Sequence, residues 1–233
     1  FVVTDDFMRG PQESSQWTKT GEAHWEVRSL DNPGRSSNAF VYQAWGEAGG
    51  VSLLGRPYWD AYRAAVSVLG DAGGAVGLVV ASSAPSAEGG LPDRYALIRW
   101  DAQTDARPPD SEAGPAAPAP RLALLEVTEG EERCLASRPG GYRPGQWYRL
   151  EATLADGCVR VLVDGRELLE AESPWFSGGM AGLYARSDKP TEFDDFRAVS
   201  LQATGTRSIL RMAWQTYGGP WRRSEAGLAC QPS

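Results

Sequence analysis

The chain has 233 residues, of which 42% are apolar and 23% charged, and its formal net charge at pH 7 is −7. These values are ordinary for a globular chain and exclude a fibre or a wholly disordered protein. The acidic balance argues against a nucleic-acid-binding protein, which needs a basic face to neutralise phosphates. No apolar run approaches the roughly 18 residues of a membrane-spanning helix, so the sequence predicts no such helix.

Alternation of apolar and polar residues with a period of two recurs along the chain, and helical periodicity is nearly absent. The candidate strands are residues 1–8, 23–30, 38–46, 58–69, 75–83, 94–101, 121–128, 131–137, 146–155, 157–164, 166–171, 179–186 and 191–201. Asp156-Gly157 and Asp164-Gly165, which separate neighbouring strands, are typical of tight hairpin turns. Short strands at this spacing, without helices between them, predict an all-β sandwich or barrel.

A proline-rich segment, residues 102–120, interrupts this pattern with five prolines and almost no large apolar side chain. We expect it to be an exposed, extended loop inserted in a domain that covers residues 1–201. A functional lid is the alternative interpretation of the same segment.

The last part of the chain, residues 202–233, echoes the first strands. Trp214 and Trp221, with Tyr217 between them, resemble in spacing Trp17 and Trp25 on either side of a glycine-containing turn. Thirty residues are too few to bury a sandwich core of their own. Unless the echo is a coincidence, the tail packs on its own domain, completes a partner's sheet, or begins a second similar module. Trp214, Tyr217 and Trp221 are the candidate docking residues for a homo-oligomer or a larger complex.

An ordered series of short motifs runs through residues 1–201. In chain order they include Asp5-Asp6-Phe7, Trp25-Glu26-Val27, Tyr58-Trp59-Asp60-Ala61-Tyr62, Gly77-Leu78-Val79-Val80, Arg94-Tyr95-Ala96-Leu97, Gly145-Gln146-Trp147-Tyr148, Val161-Leu162-Val163-Asp164-Gly165, Gly179-Met180-Ala181-Gly182-Leu183-Tyr184 and Phe193-Asp194-Asp195-Phe196. This order resembles the concanavalin A-like lectin/glucanase superfamily, and within it the bacterial laminin-G-like modules and 3-keto-disaccharide hydrolases. The resemblance implies an all-β, two-sheet antiparallel jelly-roll β-sandwich whose first and last strands are neighbours. The two Asp-Asp-Phe motifs would then lie close together, with each Phe in the core.

The sequence offers few catalytic groups. Laminarinase-type relatives carry Glu-x-Asp-x-Glu or Glu-x-Asp-x-x-Glu on one strand, because glycoside hydrolysis needs two carboxylates beside the scissile bond. The nearest match, residues 192–196, has Phe196 in place of the last carboxylate. His24, the only histidine, neighbours Trp25 in a candidate strand and faces away from it. We therefore expect a surface histidine rather than a triad member or zinc ligand, and assign no catalytic residue.

Calcium is the one cofactor that the resemblance suggests, since many modules of that fold bind it through Asp side chains and backbone carbonyls. The candidate ligands are Asp5, Asp6, Asp194 and Asp195, because the fold would bring the two pairs together. Like charges this close repel unless a cation or backbone amides compensate them. The alternative is that the chain binds no cofactor.

Three cysteines, Cys134, Cys158 and Cys230, leave at least one unpaired within the chain, and their spacing matches no zinc pattern. In an exported protein Cys134 and Cys158 form the predicted disulfide, because both fall in candidate strands. Cys230 would then be free or bridged to a group outside these residues.

Sugar recognition by the resembled fold usually relies on exposed aromatic rings together with Asp, Asn or Arg side chains. The candidate ligand-binding residues are Trp45, Trp59, Tyr95, Arg99, Trp100 and Asp101. Alternation places Trp100 on the face opposite to Tyr95 and Arg99, so some of these groups point away from the core between the sheets. We assign Trp25, Trp147 and Phe196 to the core.

These patterns predict a non-catalytic, extracytoplasmic binding or scaffold module that recognises a glycan or a neighbouring protein in an assembly. Extracytoplasmic here means periplasmic, secreted or on the cell surface. One alternative is a carbohydrate-active enzyme of the 3-keto-glycoside hydrolase type, with Tyr95, Arg99 and Asp101 lining its pocket. The other is a purely structural accessory subunit of a larger complex.

Overall fold

The computed structural model describes residues 1–10, 15–30, 39–85, 89–103 and 119–201, and the backbone of residues 221–224 and 227–230. The strands are β1 (Val2–Asp5), β2 (Thr18–Gly21), β3 (His24–Ser29), β4 (Phe40–Leu54), β5 (Tyr62–Leu69), β6 (Ala75–Ser82), β7 (Arg94–Asp101), β8 (Arg121–Thr128), β9 (Glu131–Pro139), β10 (Trp147–Ala155), β11 (Cys158–Val163), β12 (Arg166–Glu172), β13 (Met180–Ser200), β14 (Trp221–Ser224) and β15 (Gly227–Cys230). No helix long and apolar enough to cross a membrane occurs in these parts of the chain.

The chain forms two compact units, residues Phe1–Leu201 and Gln202–Ser233. In the second unit β14 and β15 form an antiparallel hairpin, in which Trp221 is paired with Cys230. Trp214 and Tyr217, two of the three predicted docking residues, lie outside the described residues. Docking through the tail therefore stays a prediction.

The first unit consists of two antiparallel layers that share the long strands β4 and β13. The front sheet has the order β9-β8-β7-β6-β13-β4-β2, and the back sheet the order β12-β11-β10-β5-β13-β4-β3, with β1 paired to the end of β13. In the front sheet Leu183 of β13 pairs with Leu78 and Ser52, and in the back sheet Phe193 pairs with Val68 and Tyr42. The predicted jelly-roll β-sandwich is confirmed.

Several strands differ from the sequence prediction, and β4, predicted to end at residue 46, extends to Leu54. Residues 179–186 and 191–201, predicted as separate strands, belong to the single strand β13, whose pairing with β4 is interrupted between Ala185 and Thr191, where it passes from one sheet to the other. The short edge strand β2 was not predicted, because its sequence Thr-Lys-Thr-Gly carries no apolar alternation.

The main core lies between the two sheets. Alternate residues of the front strands, such as Leu78 and Ile98, face alternate residues of the back strands, such as Val66 and Leu150, and all are fully buried. Trp25 and Phe196 belong to this core, as predicted. Burial of this apolar surface, at about 25 cal/mol per Å², is the main source of stability for the unit.

The first and last strands of the unit are neighbours, as the resemblance implied. In the β1–β13 ladder Asp5 pairs with Phe196. Phe7 and Phe196 are both buried in the core. Asp5 Oδ1 accepts hydrogen bonds from the Phe7 backbone N–H at 2.8 Å and from Arg9 Nη1 at 2.6 Å, and Asp5 Oδ2 accepts one from Trp17 Nε1 at 2.7 Å. The first Asp-Asp-Phe motif is thus a structural clasp.

Three hairpins of the sandwich close with two-residue turns, Glu129-Gly130, Asp156-Gly157 and Asp164-Gly165. The first residue of each has φ between 49° and 52°, and the glycine has φ between 76° and 83°. Two positive φ angles in succession define the type I′ turn, whose twist matches that of the flanking strands. The two predicted turns are confirmed.

Candidate functional site

The front sheet carries a second apolar surface, on the side that faces away from the back sheet. We call it the outer front face. Its buried members are Val51, Leu53, Ala75, Val79, Tyr95, Leu97, Ala123, Leu125, Val127, Met180 and Tyr184. Leu91, which precedes β7, lies beside β2, with its Cδ2 3.2 Å from the position that a Cβ on Gly21 would take. An antiparallel sheet usually presents polar residues on its second face, whereas the second face of this sheet is apolar and already buried within the chain.

One charged group lies within this apolar surface. The Arg99 side chain, on β7, is only 13% exposed. Its Nη1 donates to both carboxylate oxygens of Glu132, at 2.9 and 2.7 Å, across the intervening strand β8. Its Nε lies 3.7 Å from Asp101 Oδ1. A guanidinium removed from water needs countercharges, and these two carboxylates supply them. We call Arg99, Asp101 and Glu132 the Arg99 cluster.

Two tyrosines border the Arg99 cluster and remain neutral. Burial raises the pKa of Tyr95 to about 12, with smaller contributions from Tyr184 and Glu132. Burial also raises the pKa of Tyr184. For Arg99, burial acts to lower the pKa, but the Glu132 carboxylate and Asp101 outweigh it and the pKa is raised. Near neutral pH the face therefore presents a guanidinium cation, two carboxylates and two phenol hydroxyls.

This set of groups can bind a polyhydroxylated molecule. The Glu132 side chain is 43% exposed, so its carboxylate is accessible although it is paired with Arg99. Asp101 is also partly exposed, and its Oδ2 accepts a hydrogen bond from the Arg121 backbone N–H at 3.3 Å. A few polar groups placed in an otherwise apolar, aromatic surface are typical of small-molecule sites.

Of the six predicted ligand-binding residues, the structure brings three together. Tyr95, Arg99 and Asp101 alternate along β7 and lie on the outer front face or at its end. Trp100 belongs to the core between the sheets, and its Nε1 donates to the Gly140 carbonyl at 3.1 Å. The prediction that Trp100 contacts a ligand is therefore wrong.

Trp59 and Trp45 also lie apart from the Arg99 cluster. Trp59 is buried in the core ahead of β5 and stacks on Phe1 at a centroid distance of 3.9 Å, so it cannot serve as an exposed platform. Trp45 is half-buried on the outer side of the back sheet, and its ring lies 4.3 Å from that of His24. His24 itself is exposed, as predicted.

Trp147 was assigned to the core, and this prediction is wrong. Leu150, Ala152 and Leu154 occupy the inward positions of β10, so Trp147 faces outward and is 42% exposed. Side chains alternate along β10, so the outward direction of Trp147 follows once Leu150, Ala152 and Leu154 are known to face inward.

The predicted calcium ligands are not arranged as a metal site. Asp5, Asp6 and Asp195 line a polar cavity of about 490 Å³, but Arg149 and Arg197 line the same cavity. Two guanidinium groups oppose a divalent cation, and both oxygens of Asp5 already accept hydrogen bonds. Asp195 N–H donates to Asp194 Oδ1 at 2.8 Å. The described residues contain no group of three or more His, Cys, Asp or Glu side chains that could hold a metal ion. We do not propose a calcium site.

The predicted disulfide is also absent. Cys134 on β9 and Cys158 on β11 are both free thiols. Cys158 donates to Glu170 Oε1 at 3.3 Å, while Cys134 lies against its own strand near the Ala136 carbonyl. Membership in strands did not bring the two thiols together, because β9 ends the front sheet and β11 belongs to the back sheet.

Several residues of the site and its surroundings are not predictable from the sequence alone. Glu132 reaches Arg99 only because β8 lies between their strands, and one sequence gives no such pairing. Tyr184 was noted as part of a strand motif but not as a neighbour of Tyr95. Tyr58 and Trp175 are the most exposed described side chains of their types, at 72% and 50%, and neither was proposed as a contact.

Comparisons with solved structures support the fold. A protein of unknown function with a galectin-like fold from Bacillus subtilis matches with a TM-score of 0.60 at 12% identity, over 85% of this chain and 94% of that one. The carbohydrate-binding module CBM66 from Bacillus subtilis matches with a TM-score of 0.56 at 16% identity, over 79% and 96%. The exoplasmic/lumenal domain of VIP36, in a Ca2+/Man-bound form, matches with a TM-score of 0.51 at 14% identity, over 83% and 86%.

Sequence comparisons are silent by contrast. No family model matches the chain. No curated protein matches it either. At identities of 12–16% the structural likenesses establish the architecture and nothing about the ligand. Together with the shared strands and the pairing of the first and last strands of the first unit, they show that residues 1–201 have the two-sheet jelly-roll fold of these structures.

Proposed function

We propose that the chain is a glycan-binding module that holds its ligand at the Arg99 cluster without cleaving it. The observation that carries this proposal is the Arg99 cluster itself. It is an ion-paired, partly exposed group set in an apolar face bordered by two neutral tyrosines. A purely structural face would gain more from another leucine, because a buried ion pair contributes little to stability.

The chemistry of the cluster suits sugar hydroxyls. The Glu132 carboxylate and Asp101 accept hydrogen bonds, Arg99 donates them, and the Tyr95 and Tyr184 hydroxyls do both. Carboxylates and guanidinium groups form hydrogen bonds about twice as strong as those between neutral groups.

The fold supports the same class of ligand. Two of the structures that share it carry names that refer to carbohydrate, the module CBM66 and the Ca2+/Man-bound domain of VIP36. The second is an exoplasmic/lumenal domain, which fits our proposal that this chain acts outside the cytoplasm. Neither name assigns a sugar to this chain, so the test has to begin from a broad panel.

The test is a glycan array with the full chain, followed by calorimetric titration of the glycan that gives the strongest signal. Glu132→Gln keeps the shape of the side chain and removes its charge. We expect it to weaken binding at least about tenfold, as loss of a charged hydrogen bond does. The matched control is Glu170→Gln, because Glu170 pairs with Arg160 on the back sheet in the same way, at 3.0 Å.

Three outcomes would overturn the proposal. The wild-type chain could bind no glycan, or Glu132→Gln could bind as tightly as the wild type while remaining folded by circular dichroism. Release of free sugar from a bound oligosaccharide or a 3-keto disaccharide would show an enzyme instead of a binding module. Equal losses in Glu132→Gln and Glu170→Gln would place the site elsewhere.

A further inference from the structure

Two turns of the sandwich are built alike, and each displays one aromatic ring to solvent. The first has the sequence Arg56-Pro57-Tyr58-Trp59 and the second Ser173-Pro174-Trp175-Phe176. In each turn the last N–H donates to the first carbonyl, at 3.1 Å in the first and 3.0 Å in the second. Proline in the second position favours such a turn. In each, the final aromatic ring is buried in the core and the ring before it is exposed.

The two turns are joined to each other at one end of the sandwich. The Gly179 backbone N–H donates to the Trp59 carbonyl at 2.7 Å. A Cβ on Gly178 would lie 2.3 Å from that same carbonyl oxygen, and the φ of Gly178 is 141°, so only glycine fits there. Gly178 and Gly179 thus tie the segment that follows the second turn to the first turn, which carries Tyr58.

The Trp175 turn is anchored from two directions. The Arg94 guanidinium carbon lies 4.8 Å from the centroid of the Trp175 ring, a cation–π arrangement. The Ser173 hydroxyl donates to Glu126, accepts from the Trp175 backbone N–H at 3.3 Å, and so links the turn to the Glu126–Arg133 ion pair. An exposed tryptophan held in this way loses little conformational freedom when a ligand binds.

We propose that Tyr58 and Trp175 are stacking platforms for neighbouring sugar rings of a carbohydrate chain, forming a second binding surface. This inference rests on the proposed function. The negative face of an aromatic ring attracts the polarised C–H groups of a sugar. Along the chain Tyr58 and Trp175 are flanked by exposed polar residues such as Arg56, Asp60 and Ser177, which can form hydrogen bonds with sugar hydroxyls.

This surface is separate from the Arg99 cluster. Arg94, which holds Trp175, and Arg99 are five residues apart in β7. The odd interval also directs their side chains to opposite faces of the strand. A small sugar bound at the Arg99 cluster therefore does not contact Trp175, and the two surfaces can be tested independently.

The experiment measures retention of the full chain on a panel of insoluble polysaccharides, and its affinity for the matching oligosaccharides of increasing length. We expect Tyr58→Ala and Trp175→Ala each to weaken binding of the longer oligosaccharides about 3- to 10-fold, the range of one aromatic contact. We expect Trp175→Phe to restore most of the loss, and binding of the monosaccharide to stay unchanged. The control is Trp147→Ala, which removes a comparably exposed ring from the back sheet.

The outcomes separate this inference from the proposed function. If both alanine variants keep wild-type affinity while Glu132→Gln loses it, the aromatic surface is not a sugar site and the proposed function stands. If the wild type binds no carbohydrate, both proposals fail. If the wild-type chain is a dimer by light scattering and Tyr58→Ala with Trp175→Ala is a monomer, the rings serve a protein contact and the inference is wrong.

Discussion

The outer faces of the two sheets differ in polarity and burial, although the sheets share two strands. On the outer front face Leu97 and Val79 are buried, and Arg99 is the charged group set among them. The outer face of the back sheet carries exposed charge, as at Arg63, and the exposed ring of Trp147. The back sheet has the polar face that water requires of an antiparallel sheet. The second face of the front sheet is apolar and buried, so the charged cluster set in it calls for a function.

Two arginine–glutamate ion pairs, one on each sheet, differ in exposure in the same way as the two outer faces. Arg99 and Glu132 are 13% and 43% exposed, whereas Arg160 and Glu170 are 56% and 47% exposed. Both pairs join an arginine to a glutamate at 3.0 Å or less. Exposed pairs contribute little because water and salt screen them. A buried guanidinium, in contrast, depends on its partner.

The largest expected effect on the free energy of unfolding comes from truncating a leucine side chain to alanine, tested on each outer face. Leu97→Ala opens a cavity in the outer front face and should cost about 2–4 kcal/mol in the free energy of unfolding. Leu162→Ala, at a half-buried position on the back sheet, should cost less than about 1 kcal/mol. Urea unfolding measures both. Equal costs would mean that the front face is no better covered than the back.

Charge removal should give an intermediate effect. Glu132→Gln leaves the Arg99 guanidinium with one countercharge fewer and should lower the free energy of unfolding by about 1–3 kcal/mol. Glu170→Gln should leave it unchanged within error, because its partner stays solvated. Denaturation at low and high salt distinguishes the two further, since only the exposed pair is fully screened. A Glu132→Gln variant as stable as the wild type would contradict the contrast.

The last expected effect is a pH dependence that is confined to alkaline solution. Because burial raises the pKa of Tyr95 to about 12, above the value of about 10 for the unfolded chain, the unfolded state loses its proton first. The contribution of neutral Tyr95 to stability is complete below pH 10 and is lost as the pH rises towards 12. Tyr95→Phe should therefore show a shallower decline over this interval. Tyr58→Phe, on an exposed ring, should follow the wild type.

The order of motifs predicted the fold well, because each motif contains the residues of one turn or the core-facing side chains of one strand. Alternation along β7 correctly placed Tyr95, Arg99 and Asp101 on the same side. It could not tell which side of the strand faces the second sheet, so Trp100 was placed in the site although it lies in the core. That distinction depends on how the layers stack, which a single strand does not encode.

Contacts between distant strands were the least predictable part. Glu132 joins Arg99 only through the β7-β8-β9 order, and Cys134 and Cys158 lie apart because their strands belong to different sheets. The exposure of Trp175 could not be predicted from strand alternation, because Trp175 lies in a turn in which the next ring, Phe176, takes the buried position. Both turns have a proline followed by two aromatic residues, Tyr58-Trp59 in one and Trp175-Phe176 in the other. This repeated sequence pattern is what could have indicated an exposed ring.

The passage of β4 and β13 through both layers has a mechanical consequence. One sheet cannot unfold while the other stays intact, because β4 and β13 would then have to unfold over half of their length and stay paired over the other half. Amide protons on the two halves of β13 should accordingly exchange with deuterium at the same opening free energy, as members of a single cooperative unit. A load applied to one layer is borne by the other through unbroken backbone.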